Sequence, residues 1–162
     1  MRGLVVGRFQ PLHIGHVHLI QQAREQCGTV VIAVGSTNAK PNARNPFSFE
    51  ERKAMLQAVF PGVPVFAVPD IHDREAWVAH LLAITGAVDR VYGNDDNSQS
   101  LFEAAHVDVA RPGLERRDEW EGTAIRRLMA EDDPAWRKHV PPAVAALLLD
   151  WHAPERIRAM AG

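Results

Sequence analysis

Five short runs of apolar and β-branched residues alternate with stretches of helical periodicity, and this alternation constrains the fold more than any other feature of the chain. The runs occupy residues 3–8, 29–34, 63–68, 88–92 and 106–110. The first run is apolar on both of its sides, as is typical of a strand buried inside a parallel sheet. Strands and helices that alternate with short connections predict an open parallel α/β sheet with right-handed crossovers.

Capping and breaking residues mark the helices between these strands. Ser48, followed three residues later by Glu51, forms a capping box that starts one helix, and Gly28 is the predicted stop of another. Thr123 is the predicted cap of a helix near the end of the chain. The predicted helices cover residues 15–26, 48–60, 75–84, a short stretch around Phe102, 123–130 and 143–151.

Composition limits the class of protein. The 162 residues suit one domain, residues 1–162, with a small helical C-terminal segment from about residue 134. The hydrophobic fraction of 46% can fill a core. We expect no membrane partner, because no uncharged apolar run approaches the roughly 20 residues that cross a bilayer. The start of the chain lacks a signal-peptide pattern, which predicts a cytoplasmic protein. The net charge of −2 argues against a nucleic-acid partner, and the single Cys27 excludes an internal disulfide.

The loop that follows the first predicted strand carries two histidines around a glycine, within the sequence GRFQPLHIGH at residues 7–16. His13 and His16 are three positions apart at the start of a helix, so both imidazoles can face one ligand. A helix start offers free backbone N–H groups and partial positive charge, and Gly15 allows a ligand to approach the backbone. Ligands of parallel α/β sheets bind at this end of the strands. The pattern predicts a polyphosphate site.

Two other interpretations of these histidines are open. Together with His18 they could be zinc ligands, but the segment is not H-E-x-x-H and no carboxylate is spaced to complete a metal site. They could also be ordinary, partly buried side chains, and we adopt that interpretation for His18. For His13 and His16, the coincidence of a glycine, a helix start and a strand end favours a ligand.

The same loop, with its HxGH signature at residues 13–16, resembles the HxGH nucleotidyltransferase superfamily. The wider pattern resembles nicotinamide-mononucleotide adenylyltransferases of the archaeal type, and this resemblance covers almost the whole chain. The motifs that carry it are MRG at 1–3, RNPF at 44–47, ER at 51–52, PDI at 69–71, GTAIRR at 122–127, VP at 140–141 and ERI at 155–157. It implies a Rossmann-like nucleotidyltransferase fold with helices on both faces of the sheet, and assembly into a homo-oligomer.

The activity that the resemblance implies is transfer of AMP from ATP to nicotinamide mononucleotide, which gives NAD and pyrophosphate. Mg²⁺ is the implied cofactor, bound through the ATP phosphates rather than by direct protein ligands. By position, His13, His16, Arg8 and Arg126 resemble the catalytic ligands of the ATP phosphates, with Arg126 acting from a helix start. The other implied ATP-binding residues are Gly7, Phe9, Gln10, Gly15, Gly93, Asn94, Thr123 and Ile125.

A second group of residues resembles the acceptor site of the family. Arg44 corresponds to the arginine that receives the phosphate of the mononucleotide. Trp77 corresponds to the aromatic residue that stacks on nicotinamide, where a cationic ring gains a cation–π contribution. A tryptophan at helical spacing can equally be a core residue. The other implied acceptor residues are Ser36, Asp70 and Ile71.

Two of the departures from the family pattern concern the proposed sites. Glu121 replaces the Ser or Asn that commonly stands two residues before the threonine of the second motif, and it either points away from the phosphates or tunes Mg²⁺ binding. Arg74 stands where some members carry a small amide, so it differs from the group that contacts nicotinamide in those members. Other acceptors are therefore weighed as well: nicotinate mononucleotide, phosphopantetheine or flavin mononucleotide. A non-catalytic nucleotide-binding regulator is the alternative from a different class.

Overall fold

The computed structural model describes residues 1–93, 96–110 and 117–161, and within them a five-stranded parallel sheet carries helices on both faces. The strands are β1 (Arg2–Gly7), β2 (Thr29–Val34), β3 (Val65–Ala67), β4 (Arg90–Tyr92) and β5 (Asp108–Ala110). The helices are α1 (Ile14–Cys27), α2 (Phe49–Val59), α3 (Trp77–Thr85), α4 (Asp96–Ala104), α5 (Arg117–Ala130), α6 (Pro142–Asp150) and α7 (Ala153–Ala161), with a 3₁₀ helix at Pro134–His139. The predicted fold class is confirmed.

The strand order β3-β2-β1-β4-β5 places β1 at the centre of the sheet. β1 pairs with β2 from Arg2 opposite Thr29 to Gly7 opposite Val34, and its other edge pairs with β4. Along the chain, β2 and β3 are therefore added on one side of β1, and β4 and β5 are then added on its other side. A sheet of this kind has a crevice at the carboxyl ends of the two strands where the direction reverses, and ligands bind there.

Side chains that alternate along the central strands fill two separate cores. Leu4 points into the core beneath α3 and α4, which it shares with Leu81 and Phe102. Val5 points into the opposite core, which contains residues of α1, α2, α5, α6 and α7, among them Ile20 and Met55. Because both faces of the sheet are covered, its strands read as continuous apolar runs in the sequence.

The helix boundaries follow the predicted caps in most places. The Ser48 side chain accepts the backbone N–H of Glu51 at 3.1 Å, and the Glu51 carboxylate accepts the backbone N–H of Ser48 at 3.0 Å. The capping box that starts α2 is thus confirmed. β3 is shorter than the predicted run over residues 63–68, because only its central part pairs with β2. Among the described residues, no helix is long and apolar enough to cross a membrane.

The predicted Thr123 cap is wrong. α5 begins at Arg117, so Thr123 lies inside the helix. Gly122 also lies inside this helix, close to the Arg126 side chain. A Cβ atom at Gly122 would lie 3.0 Å from Nη1 of Arg126. His18 differs from its prediction as well, since it is exposed rather than partly buried.

Candidate active site

A cavity of about 730 Å³ opens at the carboxyl ends of the strands. Its volume lies within the range of small-molecule sites in proteins. The loops after β1 and β2, the start of α3, the end of β4, and helices α4 and α5 contribute to it. The lining residues are Val6, Gly7, Arg8, Phe9, Gln10, Pro11, His16, Gly35, Ser36, Arg44, Asp70, Ile71, Arg74, Trp77, Val91, Gly93, Ser98, Gln99, Leu101, Phe102, Gly122 and Arg126.

His13 and His16 are held against each other at the start of α1. The backbone N–H of His13 donates to Nδ1 of His16 at 3.2 Å, and the backbone N–H of His16 lies 3.4 Å from Nδ1 of His13. The two rings stack with 3.6 Å between their centroids and 21° between their planes. Both side chains are buried, but of the two it is His16 that lines the cavity. The structure therefore places His13 behind His16 rather than beside it.

Phe9 supports the same histidine from within the β1–α1 loop. Its buried ring lies 4.6 Å from the His16 ring, centroid to centroid. A Cβ atom at Gly7 would lie 3.0 Å from the Phe9 ring, so a side chain at that position would crowd the ring. Phe9 itself has a φ of 56°, in the left-handed region that non-glycine residues rarely adopt. The loop conformation is thus fixed by the packing of Phe9.

Glu121 of α5 reaches the start of α1. Its Oε2 atom lies 3.1 Å from Nδ1 of His13. A Cβ atom at Gly15 would lie 2.8 Å from the same oxygen and 3.1 Å from the His13 ring. The space above Gly15, which the sequence suggests is kept open for a ligand, is occupied by these two side chains. Glu121 is 23% exposed and is not among the residues that line the cavity.

Arg126 is anchored to the β1–α1 loop across the cavity wall. Its Nη1 atom donates to the carbonyl of Gln10 at 2.7 Å, and its Nη2 atom donates to Oγ1 of Thr123 at 3.3 Å. The Gln10 side chain in turn donates to the carbonyl of Phe47 and accepts its N–H, each at 3.0 Å. Ile125 lies on the core side of α5 and is 1% exposed.

Arg52 is a buried residue of this region to which the sequence interpretation gave no role. Its Nη1 atom donates to the carbonyls of Arg8 at 3.0 Å and Gly35 at 2.8 Å, and its Nε atom donates to the carbonyl of Ser48 at 3.2 Å. Burial, together with the nearby charge of Arg8, lowers the pKa of Arg52 to about 10. Arg52 thereby joins the loops that follow β1 and β2. Arg52 belongs to the ER motif at residues 51–52, but the motif alone does not reveal these contacts.

The predicted acceptor residues lie on more open segments. Arg44 is exposed on a loop whose turn is held by the Asn42 side chain, which accepts the N–H groups of Arg44 and Asn45 at 2.9 Å each. Trp77, the first residue of α3, is half-buried and meets Phe102 edge-on, with 5.5 Å between ring centroids. Trp77 lines the cavity and also packs on the core. Its position is therefore compatible with both predictions, contact with a ligand and packing in the core.

Asn38 ties together the two loops that carry the other acceptor residues. Its side chain donates to the carbonyl of Asp70 at 3.1 Å and accepts the N–H of Asp70 at 2.9 Å. Asp70 and Ile71 therefore reach the cavity from the loop after β3, while Ser36 reaches it from the loop after β2. Arg74 also lines the cavity, so the residue that departs from the family pattern is close to the predicted acceptor site.

The end of β4 completes the lining. Gly93 borders the cavity, and its carbonyl accepts the amide N–H of the buried Gln99 side chain of α4. Gln99 and Ser98 were not identified from the sequence, because nothing in the spacing of α4 shows that it borders the site. The predicted ATP-binding residue Asn94 lies outside the described residues.

Most of the predicted site residues meet in this one cavity, but four of those described do not line it. His13 and Thr123 contact the residues that do, and Gly15 and Ile125 are used for packing. The zinc interpretation of the histidines gains no support. Among the ranges that the structure describes, no group of three or more His, Cys, Asp and Glu side chains is arranged to hold a metal ion.

The sequence is similar to one family of proteins over most of its length. A model of the cytidylyltransferase-like family matches residues 4–128. The chain is 33% identical to a nicotinamide-nucleotide adenylyltransferase of Methanosphaerula palustris, over 99% of this chain and 98% of that protein. It is 35% identical to the enzyme of the same name from Methanoculleus marisnigri, with the same coverage of both chains, 99% and 98%.

A comparison of structures gives the same fold. A bifunctional NMN adenylyltransferase/ADP ribose pyrophosphatase from Francisella tularensis superimposes with a TM-score of 0.71 and 21% sequence identity. The alignment covers 98% of this chain and 52% of that one, so this chain spans about half the length of its structural neighbour. At this identity the likeness shows the fold alone.

Proposed function

Since the chain belongs to the nicotinamide-nucleotide adenylyltransferase family of cytidylyltransferase-like proteins, we propose that it transfers AMP from ATP to nicotinamide mononucleotide, giving NAD and pyrophosphate. The observation that carries this function is similarity to these enzymes over nearly the whole length of both chains. The cavity supports it, because it gathers arginines and a histidine from separate elements at the crevice where such sheets bind ligands.

The reaction needs little covalent chemistry from the protein. The second pKa of a phosphate monoester is about 6, so at neutral pH the mononucleotide is mostly a dianion that can attack without a general base. Its oxygen forms a bond to the α-phosphorus of ATP while the bond from that phosphorus to the bridging oxygen breaks, and pyrophosphate leaves. The protein must then hold two anions in line and stabilise the charge on the phosphates.

On the ATP side, His16, Arg8 and Arg126 are the proposed phosphate ligands. All three line the cavity, and the hydrogen bond from Arg126 to the Gln10 carbonyl fixes the guanidinium beside the β1–α1 loop. Donors that are already in place lower the barrier, because they need not reorganise as charge develops. The bond between Nδ1 of His16 and the His13 N–H leaves Nε2 as the protonated nitrogen of the neutral His16 ring.

On the acceptor side, Arg44 is the proposed ligand of the mononucleotide phosphate and Trp77 the proposed partner of the nicotinamide ring. A guanidinium suits the phosphate because it can donate two parallel hydrogen bonds. An indole face attracts a cationic pyridinium ring, which nicotinamide mononucleotide carries. That charge favours nicotinamide mononucleotide over phosphopantetheine, which lacks an aromatic cation.

Mg²⁺ is the proposed cofactor, bound to the phosphates of ATP. Of the described residues that line the cavity, Asp70 alone carries a carboxylate, and Mg²⁺ prefers oxygen ligands of that kind. The donors near the proposed phosphate ligands are nitrogens, so they fit the phosphates rather than the metal. When bound, Mg²⁺ neutralises charge on the transferring phosphates, while this chain's arginines and histidine orient them.

The test is to incubate the purified protein with ATP and Mg²⁺, supply one monophosphate at a time, and measure pyrophosphate release. We expect release with nicotinamide mononucleotide, together with NAD that alcohol dehydrogenase and ethanol reduce to NADH. Nicotinate mononucleotide, phosphopantetheine and flavin mononucleotide are the alternative acceptors. A preference for flavin mononucleotide would contradict the nicotinamide assignment, and no release with any acceptor would point to a nucleotide-binding regulator.

Assembly and location remain predictions. The family resemblance predicts a homo-oligomer, and the exposed Leu149 of α6 gives such an assembly an apolar residue to cover. Light scattering coupled to size-exclusion chromatography measures the mass that tests it. The predicted location is the cytoplasm, and cell fractionation tests it.

A further inference from the structure

Glu121 supplies a carboxylate to the start of α1 from a different helix. Its Oε2 atom is 3.1 Å from Nδ1 of His13, whose side chain is 1% exposed, while Glu121 is 23% exposed. α1 has no acidic residue in its own first turn. A negative charge at a helix N-terminus is favourable, because it faces the partial positive charge of the free N–H groups. Glu121 stands where the resembled family commonly carries Ser or Asn.

The hydrogen bonds around the two histidines compete for one nitrogen. Nδ1 of His13 lies 3.4 Å from the backbone N–H of His16 and 3.1 Å from Oε2 of Glu121. It can accept from the N–H only when it carries no proton, and it can donate to Glu121 only when it carries one. A carboxylate has no proton to give, and its bond to a ring N–H is charge-assisted and shorter. The geometry therefore favours a proton on Nδ1 of His13.

We propose that Glu121 is a positioning residue, which keeps Nδ1 of His13 protonated and, through the stacked rings, holds His16 in its orientation toward the cavity. The rings are 3.6 Å apart and 21° from parallel, and the N–H of His13 also binds Nδ1 of His16. A change in the tilt of one ring is thus passed to the other. The effect on catalysis rests on the proposed function, because it assigns His16 to the phosphates.

The role resembles that of the buried aspartate in a catalytic triad, which sets the tautomer and the orientation of a histidine without touching the substrate. It also accounts for Gly15. A larger residue there would meet Oε2 of Glu121 at 2.8 Å and displace the carboxylate from His13. Glu121 is not among the residues that line the cavity, and its Oε2 atom faces the His13 ring.

The direct test reads the ring nitrogens by ¹⁵N NMR on protein labelled at histidine, without substrate. We expect Nδ1 of His13 to carry a proton in the wild type, and Nδ1 of His16 to carry none. In Glu121→Ala, Nδ1 of His13 should lose its proton and accept the His16 N–H instead. An unprotonated Nδ1 of His13 in the wild type, or an unchanged proton in Glu121→Ala, overturns the proposal. This readout stands whether or not the protein makes NAD.

The catalytic test compares three variants in the pyrophosphate assay. Glu121→Ala should lower kcat about tenfold with little change in either KM, because a misplaced group acts mainly on the transition state. Glu121→Gln keeps an acceptor oxygen, so it should lower kcat by less than about threefold. Glu25→Ala, an exposed position on α1, is the matched control. Wild-type kcat in Glu121→Ala, or an equal loss in Glu121→Gln, contradicts the proposal. Failure of wild-type protein to form NAD contradicts the proposed function instead.

Discussion

The two sides of the cavity are built in different ways. The histidine region, defined as residues 7–16 with Arg52 and Arg126, consists largely of buried groups that bond one another. His13, His16, Gln10 and Arg52 are 1%, 2%, 4% and 2% exposed. The acceptor region, defined as Ser36, Arg44, Asp70, Ile71 and Trp77, comes from loops and a helix start, and its members are exposed or half-buried.

The difference matches what each substrate requires. Charge develops on the phosphates of ATP during transfer, so the groups that meet it must be in place beforehand. The mononucleotide changes little apart from its attacking oxygen, and it can be bound by side chains that settle only when it arrives. Changes in the histidine region should therefore lower kcat or stability, and changes in the acceptor region should raise KM for the mononucleotide.

The largest effect is expected for His16→Ala. Removing a donor that meets developing charge should lower kcat about a hundredfold or more. The matched control is His18→Ala, because His18 is an exposed residue on the same helix and should retain wild-type kcat. Circular dichroism checks that both variants fold. Near-normal turnover in His16→Ala would contradict the role of His16 as a ligand of the ATP phosphates.

Arg52→Met tests how far the histidine region depends on a buried cation. Three carbonyls would lose the side-chain donations from Arg52, so the free energy of unfolding should fall by about 2 kcal/mol and kcat should fall with it. Urea unfolding measures the loss, and Arg24→Met, at an exposed position, is the control. If stability and kcat both stay at wild-type values, the loops do not need Arg52.

Arg44→Gln tests the acceptor region through its charge. The variant should raise KM for nicotinamide mononucleotide about tenfold, since a charge-assisted contact with its phosphate is lost. KM for ATP should stay close to the wild-type value. Lys40→Gln, on the same exposed loop, serves as the control. A rise in KM for ATP alone would place Arg44 on the other substrate.

Trp77→Ala should raise KM for the mononucleotide about fivefold, the size expected for one cation–π contact. Trp77→Phe should recover part of this loss, because it keeps an aromatic face beside Phe102. The melting temperature is recorded together with both KM values. A lower melting temperature with an equal change in both KM values would assign Trp77 to the core alone.

The smallest effect concerns the contact of α7 with the start of α2, away from either substrate. Partial burial opposes ionisation of Glu51, but hydrogen bonds from Arg156 and Ser48 hold its pKa below 4.5, its ordinary value. The carboxylate therefore adds stability above pH 4.5, and this contribution is lost as the pH falls through the lower, folded-state pKa.

Glu51→Gln tests that contribution by urea unfolding at pH 7 and at pH 3. The variant should lose about 1 kcal/mol at pH 7, and the difference from wild type should narrow at pH 3. KM and kcat should change little, because the contact lies outside the cavity lining. A difference that stays constant with pH would show that the charge of Glu51 contributes nothing.

The sequence predicts the parts of the molecule that depend on neighbours along the chain. The capping box at Ser48 and Glu51, the strand at residues 29–34 and the pairing of His13 with His16 all depend on spacings of a few residues. The alternation of strands and helices also predicts the parallel sheet, because parallel strands require crossovers. The carboxyl ends of those strands then locate the cavity.

Contacts between distant segments could not be predicted in this way. Glu121 meets His13, and Arg52 meets Gly35 and Arg8, only after the sheet brings their loops together. Gly15 shows the consequence, since its missing side chain suggests room for a ligand while a carboxylate from α5 fills that space. The Thr123 cap fails because α5 begins earlier in the chain, at Arg117.

A crystal structure with bound NAD tests the division of the cavity most directly, since the product spans both regions. We predict that the phosphate nearest the adenosine lies beside His16 and Arg126. The phosphate nearest nicotinamide should lie at Arg44, with the nicotinamide ring against Trp77. An NAD molecule bound in the reverse direction, or one whose phosphates contact neither His16 nor Arg44, would contradict the account.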